Sequence, residues 1–499
     1  MALLTEDALA RLREALWAAD YLIDPVMAAI GPAGQAGLAR NHTAAAERAL
    51  GRRDDALATL IRLFILQQEQ PLAAVRRALD PDPPLAAGLL GSTAAGRIRA
   101  KVDLRPYGAD DGTAGWLVSD HTATLDTARG RPRPDHVLGV SPASISLVQI
   151  GDRARVGRAL DLGAGCGVQS LHLARRADQV VATDLNRRAI ELAQLSFGLS
   201  QVEVDLRQGS LFQPVADQTF DRIVTNPPFV ISPPGGRRLI YRENSAPGDE
   251  LTRQVVRQSA AHLSPGGELS LVGNWAHLAG GDWRERLADW VPPGCDAVIV
   301  QRERLDPDHY AEIWLADAGW AGTPSYRGRL DRWLAYLDGL GVEAIGLGWI
   351  RLRRSERSDR SVTVLDWPQP VIQPVGDDLT AHLDAAAWAA WSDQAVWAAH
   401  WVLAPDAVQE TAARPGEEHP ARVWLRRQSG LGRLVEVDTA LGGVLGACDG
   451  DLALGDIVAA VAALTDQAPA GLAARLGPVL RQLIAEAWLR PVRPSDGSI

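Results

Sequence analysis

The stretch that decides the fold is residues 161–167, which read Asp-Leu-Gly-Ala-Gly-Cys-Gly. An apolar run at residues 159–162 leads into it and predicts a strand, and a helical pattern follows the last glycine. A second apolar run, residues 180–183, ends at Asp184, roughly 20 residues after the glycines. A strand, a glycine turn, a helix and a second strand together predict a βαβ unit of a parallel sheet.

Strands and helices continue to alternate on both sides of this unit, across residues 135–370. The spacing of the apolar residues changes repeatedly between the period of a strand and the period of a helix. The additional predicted strands are residues 202–206, 222–225 and 268–272, and a helix is predicted at 187–196. This pattern predicts an α/β fold with a doubly wound, Rossmann-like sheet.

The end of this region is less regular. Residues 344–352 and 362–365 predict a pair of strands that closes one edge of the sheet. Residues 293–340 carry helical patterns of their own, and we interpret them as an insertion. The run 351–360 contains five arginines, and it fits either a phosphate-binding patch or an exposed hairpin.

Two flanking regions have different patterns. Residues 1–130 begin with helical stripes and end in alternating residues around an Asp-Asp-Gly turn. This order predicts a helical, winged-helix-like domain that contacts the substrate or packs on its neighbour. Residues 371–499 combine tryptophan-rich helical stretches with short strands, which predicts a small α+β domain. The expected domains are therefore 1–130, 135–370 and 371–499.

Composition narrows the class of protein. The 499 residues carry a net charge of −10, and this charge disfavours a polyanionic partner without excluding one. The three cysteines are far apart and form no pair with metal-ligand spacing, so we expect no metal site. The N-terminus lacks the basic residues of a signal peptide, and no apolar run is long enough to span a membrane. We expect a cytoplasmic protein that does not bind a membrane.

The glycine turn and Asp184 have the chemistry of a nucleoside site. Gly163, Gly165 and Gly167 let the backbone approach a ligand closely, and the Asp184 carboxylate can accept hydrogen bonds from both hydroxyls of a ribose. Asp161 would repel a pyrophosphate and attract a cationic ligand. The motif therefore favours S-adenosylmethionine (SAM) over a dinucleotide, and a tight turn without a ligand is the alternative.

The second motif is Asn-Pro-Pro-Phe at residues 226–229, directly after a predicted strand. The Asn226 side-chain oxygen and the Pro227 carbonyl can accept the two N–H groups of one NH₂, which would orient its lone pair. Two prolines stiffen the turn, and Phe229 offers a flat face to a planar group. The motif predicts methylation of a planar nitrogen, although a proline-rich turn that merely ends a strand is the alternative.

Together these motifs resemble the class I SAM-dependent methyltransferases of the Asn-Pro-Pro-aromatic group, over about half of the chain. By pattern, the chain is similar to release-factor glutamine methyltransferases, and the group includes guanine-N2 methyltransferases of rRNA and adenine-N6 methyltransferases of DNA. The resemblance implies that SAM is the cofactor and that Asn226 and Pro227 hold the acceptor nitrogen. It also implies that the glycine loop lines the methionine part of SAM, that Asp184 holds the ribose and that Leu185 flanks the adenine. The loop residues are Asp161, Gly163, Gly165 and Gly167.

One position departs from the family pattern. Ser210 stands where relatives carry an acid that binds the adenine amino group, and a hydroxyl accepts a weaker hydrogen bond. Residues 135–146 stand where relatives place a segment that closes over SAM. Ser210 and residues 135–146 are therefore candidates for contacts with the cofactor.

Four functions fit these observations. We expect N-methylation of a protein side-chain amide such as glutamine, because a protein partner requires no basic surface. Methylation of a nucleobase in RNA or DNA is the main alternative, and methylation of a small molecule or peptide is the next. A protein that binds SAM without catalysis is disfavoured by the complete Asn-Pro-Pro-Phe motif.

Overall fold

The computed structural model describes residues 4–127, 131–235, 239–355, 357–358, 360–416 and 419–492. It divides into two compact units. The first comprises Met1–Val148, Ala154–Pro292 and Glu303–Ile350, and the second comprises Gln149–Arg153, Pro293–Arg302 and Arg351–Ile499. None of the described helices has the length and apolar character that crossing a membrane requires.

The helices up to residue 340 are α1 (Glu6–Ala18), α2 (Ile23–Leu38), α3 (Ala44–Leu50), α4 (Ala56–Leu60), α5 (Leu72–Ala78), α6 (Asp82–Ala87), α7 (Pro142–Ile150), α8 (Val168–Leu173), α9 (Arg187–Ser200), α10 (Glu250–Ser259), α11 (Trp283–Ala288), α12 (Pro307–Asp317) and α13 (Tyr326–Gly339). A π-helical turn, Ile61–Ile65, extends α4, and two 3₁₀ turns are Gln213–Val215 and Ala260–His262. The strands up to residue 366 are β1 (Gln70–Pro71), β2 (Leu90–Ser92), β3 (Arg97–Ala100), β4 (Asp103–Gly108), β5 (Ala114–Ser119), β6 (Val156–Leu162), β7 (Ala177–Asp184), β8 (Asp205–Gln208), β9 (Phe220–Thr225), β10 (Leu263–Leu278), β11 (Cys295–Leu305), β12 (Val342–Arg354) and β13 (Val362–Asp366).

The central sheet has eight strands in the order β13-β11-β12-β10-β9-β6-β7-β8. Strands β7, β6, β9 and β10 pair in parallel in that order, and β8 extends the sheet in parallel beyond β7. From β6 the chain first builds outward through β7 and β8, and it then returns to the other side of β6 to form β9. A crevice opens at such a reversal, outside the carboxyl ends of the strands. The predicted α/β, Rossmann-like architecture is confirmed.

The strands around the reversal end at the same level. Leu162 of β6 pairs with Thr183 of β7 on one side and with Thr225 of β9 on the other. The Thr225 hydroxyl donates a hydrogen bond to the Leu162 carbonyl at 2.7 Å. The loops that follow the three strands are therefore brought to a single edge of the sheet.

Two sequence-based strand assignments were wrong in detail. Strand β8 begins at Asp205, because Gln201 adopts φ 56° and the Val202 N–H bonds to the Phe197 carbonyl, which terminates α9. Strands β12 and β13 are not neighbours, since β11 lies between them in the sheet. Strand β11 falls inside the predicted insertion; its first seven residues are buried, so it lacks the alternation of a half-exposed strand.

The N-terminal residues share a core with the sheet's helices. The backbone N–H groups of Trp116 and Val118 in β5 donate to the hydroxyls of Ser200 and Ser196 in α9, each at 2.9 Å. One buried apolar cluster contains side chains from α1, β5 and α9, including Leu16, Trp116 and Leu192. The first 148 residues therefore belong to the same compact unit as the cavity described below; the winged-helix assignment and the three domain boundaries stay predictions.

The second unit contains the helices α14 (Gly376–Ala389), α15 (Asp393–Ala398), α16 (Thr439–Gly446), α17 (Leu454–Leu464) and α18 (Pro469–Ala485). Its strands are β14 (His400–Leu403), β15 (Ala407–Ala412), β16 (Arg422–Arg427), β17 (Leu434–Glu436), β18 (Asp449–Ala453) and β19 (Leu489–Pro491), which form the three-stranded sheets β18-β14-β19 and β15-β16-β17. Trp401 and Trp488 are fully buried in its core.

Three of the five arginines in the run 351–360 have hydrogen-bond or ion-pair partners within the protein. Arg351 is fully buried and donates to the Ile150 carbonyl and, at 3.2 Å, to the Thr380 hydroxyl. Arg353 forms an ion pair with Asp384, and Arg357 pairs with Asp296. These three arginines are therefore neither the phosphate patch nor the exposed hairpin considered from the sequence.

Candidate active site

A cavity of roughly 520 Å³ lies at the carboxyl ends of β6, β7, β8 and β9. Its wall is built by loops and helix starts that are far apart in sequence. Six of the residues predicted from sequence line it, namely Gly163, Gly165, Asp184, Leu185, Ser210 and Asn226. The reversal of strand order thus places both sequence motifs around one space.

The glycine turn is shaped by close packing as well as by backbone conformation. Gly167 precedes α8 with φ 88°, and a Cβ atom there would lie 2.4 Å from the Phe197 ring. Gly163 and Gly165 also have positive φ, but a Cβ at either would meet nothing within 4 Å. Gly167 therefore serves packing, whereas the other two leave open a space that side chains would otherwise fill.

Asp184 connects the two halves of the nucleoside motif. Its Oδ2 atom accepts the Gly165 N–H at 2.9 Å, and its Oδ1 atom accepts the Asn186 N–H at 2.7 Å. Burial raises the pKa of this carboxyl above its usual value. Each carboxylate oxygen has a second lone pair, so the side chain can still accept ribose hydroxyls while it holds the loop.

Asp161 lies beneath the loop rather than in the cavity wall. The side chain is 1% exposed, and its Oδ2 atom accepts the Ser170 hydroxyl at 2.7 Å. Burial, together with the negative charge of Asp184, raises the pKa of Asp161 to about 7, although the hydrogen bonds from Ser170 act in the opposite direction. Asp161 and Gly167 are not among the described residues that line the cavity, and their contacts with SAM stay predictions.

The acceptor motif is divided between the cavity and the core. Asn226 is half-buried and lines the cavity together with Pro228, whereas Pro227 is buried. The Phe229 ring packs edge-to-face on Trp314, with 6.3 Å between the ring centroids. Within the described part of the chain, neither Pro227 nor Phe229 is part of the cavity wall, so their roles toward the acceptor stay predictions.

A segment that the sequence did not single out holds this motif. Residues 240–246 line the cavity except for Arg242. The Asn244 amide donates to the Pro228 carbonyl at 2.7 Å, and the Val230 N–H donates to the Arg242 carbonyl at 2.8 Å. The segment has no periodic apolar pattern, and its function rests on contacts that only the folded chain creates.

The expected closing segment also lines the cavity, through residues 136–139 and Ser144. Asp120 fixes its start, because one of its carboxylate oxygens accepts the Val137 N–H at 2.9 Å while the Arg188 guanidinium binds the same carboxylate. Gln169 of α8 donates to the Ser144 carbonyl at 2.7 Å. Both ends of the segment are therefore tied to the helices that follow the motif strands.

The charges of the wall fit a cation better than a pyrophosphate. Among the described residues that line the cavity there is no lysine or arginine, whereas Asp184 and Glu243 are both present. Burial lowers the pKa of His136, the one histidine of that wall, which favours its neutral form. These described residues therefore offer no cationic side chain to the phosphates of a dinucleotide, and their carboxylates would attract a cationic ligand such as the sulfonium of SAM.

Comparison with known protein families agrees with this geometry. Residues 139–280 match the family model described as Methyltransferase small domain. Residues 18–101 and 380–491 match two models described as domains of unknown function, DUF7059 and DUF7782. The matched methyltransferase segment contains both sequence motifs and most of the cavity wall.

Three similar proteins each match less than a third of the chain. The ribosomal RNA small subunit methyltransferase C of Alcanivorax borkumensis is 30% identical over 118 residues, which are 24% of this chain and 32% of that protein. The release factor glutamine methyltransferase of Geobacter sulfurreducens is 35% identical over 161 residues, 29% of this chain and 57% of that protein. The ribosomal protein uL3 glutamine methyltransferase of Bradyrhizobium diazoefficiens is 32% identical over 150 residues, 27% of this chain and 47% of that protein.

The chain thus spans less than two thirds of the length of each of these relatives. Their named substrates divide into two classes, a glutamine side chain of a protein and ribosomal RNA. The family implies SAM as the methyl donor, and the charge and open glycine turn of the cavity fit it. Residues 139–280 form a methyltransferase small domain with distant homology to release factor glutamine methyltransferases and to small-subunit rRNA methyltransferases.

Proposed function

We propose that this protein is a SAM-dependent N-methyltransferase that acts on a planar NH₂ group. The observation that carries the proposal is the position of Asn226, which lines the same cavity as Gly163, Gly165 and Asp184. An amide oxygen beside a nucleoside-sized cavity can hold an acceptor nitrogen next to a bound methyl donor. The match of residues 139–280 to a methyltransferase domain supports the same activity.

The residues that would hold SAM are those of the cavity wall. Asp184 would accept the ribose hydroxyls, the open faces of Gly163 and Gly165 would admit the methionine part, and Leu185 and Ser210 would flank the adenine. When bound, SAM supplies an electrophilic methyl group on a positively charged sulfur. The protein orients the two reactants and surrounds them with carbonyl oxygens and carboxylates.

Asn226 orients the acceptor nitrogen for methyl transfer. Its side-chain oxygen accepts an N–H of the acceptor and turns the nitrogen lone pair toward the methyl group, an interaction that strengthens as the nitrogen becomes tetrahedral. Asn244 holds the Pro228 carbonyl at 2.7 Å and so limits movement of the turn. A strong base is not required, because the methylated nitrogen is acidic and releases its proton readily. Alignment of the two reactants contributes much of the rate.

Two acceptor classes fit this site. A glutamine amide and an exocyclic amine of a nucleobase both present a planar NH₂, and the relatives include enzymes named for each class. The expectation of a protein amide rests on the net charge of −10 for the whole chain. A nucleobase is the second candidate, and three arginines in a neighbouring cavity favour it.

The experiment that tests the activity has two parts. Calorimetry should show binding of SAM and S-adenosylhomocysteine and no binding of NAD. The enzyme is then incubated with radiolabelled SAM and a cell lysate, and the products are treated with protease or with nuclease. The Asn226→Ala variant is assayed in parallel, because the label that it also produces comes from other methyltransferases in the lysate. Binding of NAD without SAM, or equal labelling by wild type and Asn226→Ala, would overturn the proposal.

A further inference from the structure

A second, smaller cavity of about 260 Å³ lies beside the methyl-transfer cavity. Its wall includes Arg131, Arg329 and Arg332 together with Ser232 and Trp320. The acidic net charge of the chain makes such a concentration of arginines unusual. We refer to Arg131, Arg329 and Arg332 as the arginine cluster.

Trp320 organises two members of the cluster. The guanidinium carbon of Arg131 is 3.6 Å from the centre of the indole ring, and that of Arg329 is 3.3 Å from it. Two guanidinium groups at these distances cannot share one face without overlapping, so they lie on opposite faces. Stacking leaves the N–H edges of a guanidinium free to bind an anion.

The cluster lacks a carboxylate partner within the described residues. Arg332 donates to the Pro234 carbonyl, and the buried Nε atom of Arg329 has no acceptor in the part of the chain that the structure describes. Burial lowers the pKa of Arg329, and the charges of Arg131 and Arg332 lower it further, so these cations repel one another. Uncompensated like charges around a cavity are stabilised when an anion enters it.

Arg242 in the same wall provides the contrast. Its guanidinium pairs with Glu243 at 2.9 Å and with Asp317 at 2.6 Å, so its charge is neutralised inside the protein. Among the described residues, carboxylates thus pair with the structural Arg242 and none pairs with the arginine cluster. This difference assigns the cluster to a ligand rather than to folding.

The cavity of the arginine cluster and the cavity that contains Asn226 share a wall residue. Glu243 lines both cavities, whereas Leu239 lines the first and Ile240 lines the second. An acceptor group held by Asn226 and an anion held by the cluster would therefore lie on the two sides of a single segment. A nucleotide has this form, since its base and its phosphate are joined through a sugar.

We propose that Arg131, Arg329 and Arg332 bind a phosphodiester of a nucleic-acid strand whose base is the methyl acceptor. This inference rests on the proposed function and deepens it by naming the substrate class. Several guanidinium forks around one cavity suit the repeated phosphates of a strand, whereas a single carboxylate of a peptide is satisfied by one fork. RNA and DNA share this chemistry, and the 2′-hydroxyl distinguishes them.

The first test measures binding of the full chain to fluorescein-labelled, single-stranded 12-nucleotide RNA and DNA of the same sequence by anisotropy. We expect Arg131→Gln/Arg329→Gln/Arg332→Gln to weaken binding by tenfold or more. The slope of log Kd against log salt should fall by about 0.7 for each phosphate that the variant no longer binds. The single variant Arg332→Gln, which changes an exposed side chain, should give part of this decrease in affinity with unchanged thermal unfolding.

Arg155→Gln is the matched control. Arg155 is 71% exposed, lies next to the start of β6 at the opposite edge of the sheet, and pairs with Asp178. Its substitution removes one positive charge, as Arg332→Gln does, and should leave oligonucleotide affinity unchanged. A decrease equal to that of Arg332→Gln would show that general charge, and not the cluster, controls binding, and would overturn the inference.

Failure of the inference is distinguishable from failure of the proposed function. Calorimetry with SAM should give the same affinity for wild type and for the triple variant. If wild type binds SAM but binds neither oligonucleotide, or if it methylates a glutamine peptide equally well with and without the cluster, the inference is wrong and the proposed function stands. If wild type does not bind SAM, the proposed function fails, whereas the oligonucleotide measurements still decide for or against the cluster.

Discussion

The Asp184 carboxylate accepts the Gly165 N–H at 2.9 Å, so one residue of the cavity wall also holds the glycine turn that shapes the cavity. The second oxygen of the same carboxylate accepts the Asn186 N–H at the start of α9. One side chain therefore fixes the ends of two neighbouring loops. The sequence predicted a ligand contact for Asp184, and the structure adds this support of the loops.

A substitution at Asp184 should therefore affect ligand binding and stability together. We expect Asp184→Ala to weaken SAM binding by more than tenfold and to lower the free energy of unfolding by about 1–3 kcal/mol for each N–H left unpaired. Calorimetry and thermal unfolding measure the two effects. Asp178→Ala, at the other end of β7, changes an exposed carboxylate and should alter neither. A normal SAM affinity in Asp184→Ala would contradict this assignment.

Asn226 should act in the chemical step more than in cofactor binding. Asn226→Ala should retain SAM affinity within a few fold and lose turnover equivalent to about 2–4 kcal/mol of transition-state stabilisation, as removal of one preorganised hydrogen bond does. Single-turnover measurements with saturating SAM separate the two effects. Unchanged turnover would exclude a role for this amide in orienting the acceptor.

Asp161 should make stability depend on pH in a defined direction. Burial raises its pKa to about 7, so between the usual aspartate range near 4 and about 7 the folded state retains a proton that the unfolded state releases. Stability contributed by the protonated carboxyl is complete below that window and decreases as pH rises through it, by up to about 1.4 kcal/mol per pH unit. Asp161→Asn should lack this decrease in thermal unfolding without ligand. If the stability of wild type and of Asp161→Asn changed with pH in the same way, the prediction of a raised pKa for Asp161 would be wrong.

Two glycines of the same turn should differ in their tolerance of alanine. Gly163→Ala places a Cβ in open space and should cost only the strain of its positive φ, about 1–2 kcal/mol. Gly167→Ala adds a contact of 2.4 Å with the Phe197 ring and should cost distinctly more. Thermal unfolding of the ligand-free variants checks this order. The order should be reversed for SAM affinity: Gly163→Ala should weaken SAM binding more than Gly167→Ala, because Gly163 lines the cavity and Gly167 does not. Equal decreases in stability would contradict the packing role of Gly167.

The central fold and the main motifs could be predicted because their signals are local. The strands that end at Leu162, Asp184 and Thr225 are apolar runs, and the glycine turn and the Asn-Pro-Pro-Phe turn follow two of them directly. Parallel strands bring their carboxyl ends to one edge, so the order of the motifs in sequence already implied a common site. Strand β11 was missed because its first seven residues are all buried, so this part of the strand has no alternation to detect.

What the sequence by itself determined about this protein is therefore the α/β class, the glycine turn and the acceptor turn. Only the tertiary structure decided which side chains line the cavity, that Phe229 packs on Trp314, and that Arg131 and Arg329 stack on Trp320. Arg131 and Arg329 are almost 200 residues apart (198 by their numbers), and no pattern of spacing connects them. The physical reason is that backbone conformation follows from neighbouring residues, whereas a binding surface depends on which distant side chains the packed core brings into contact and which charges it leaves without a partner.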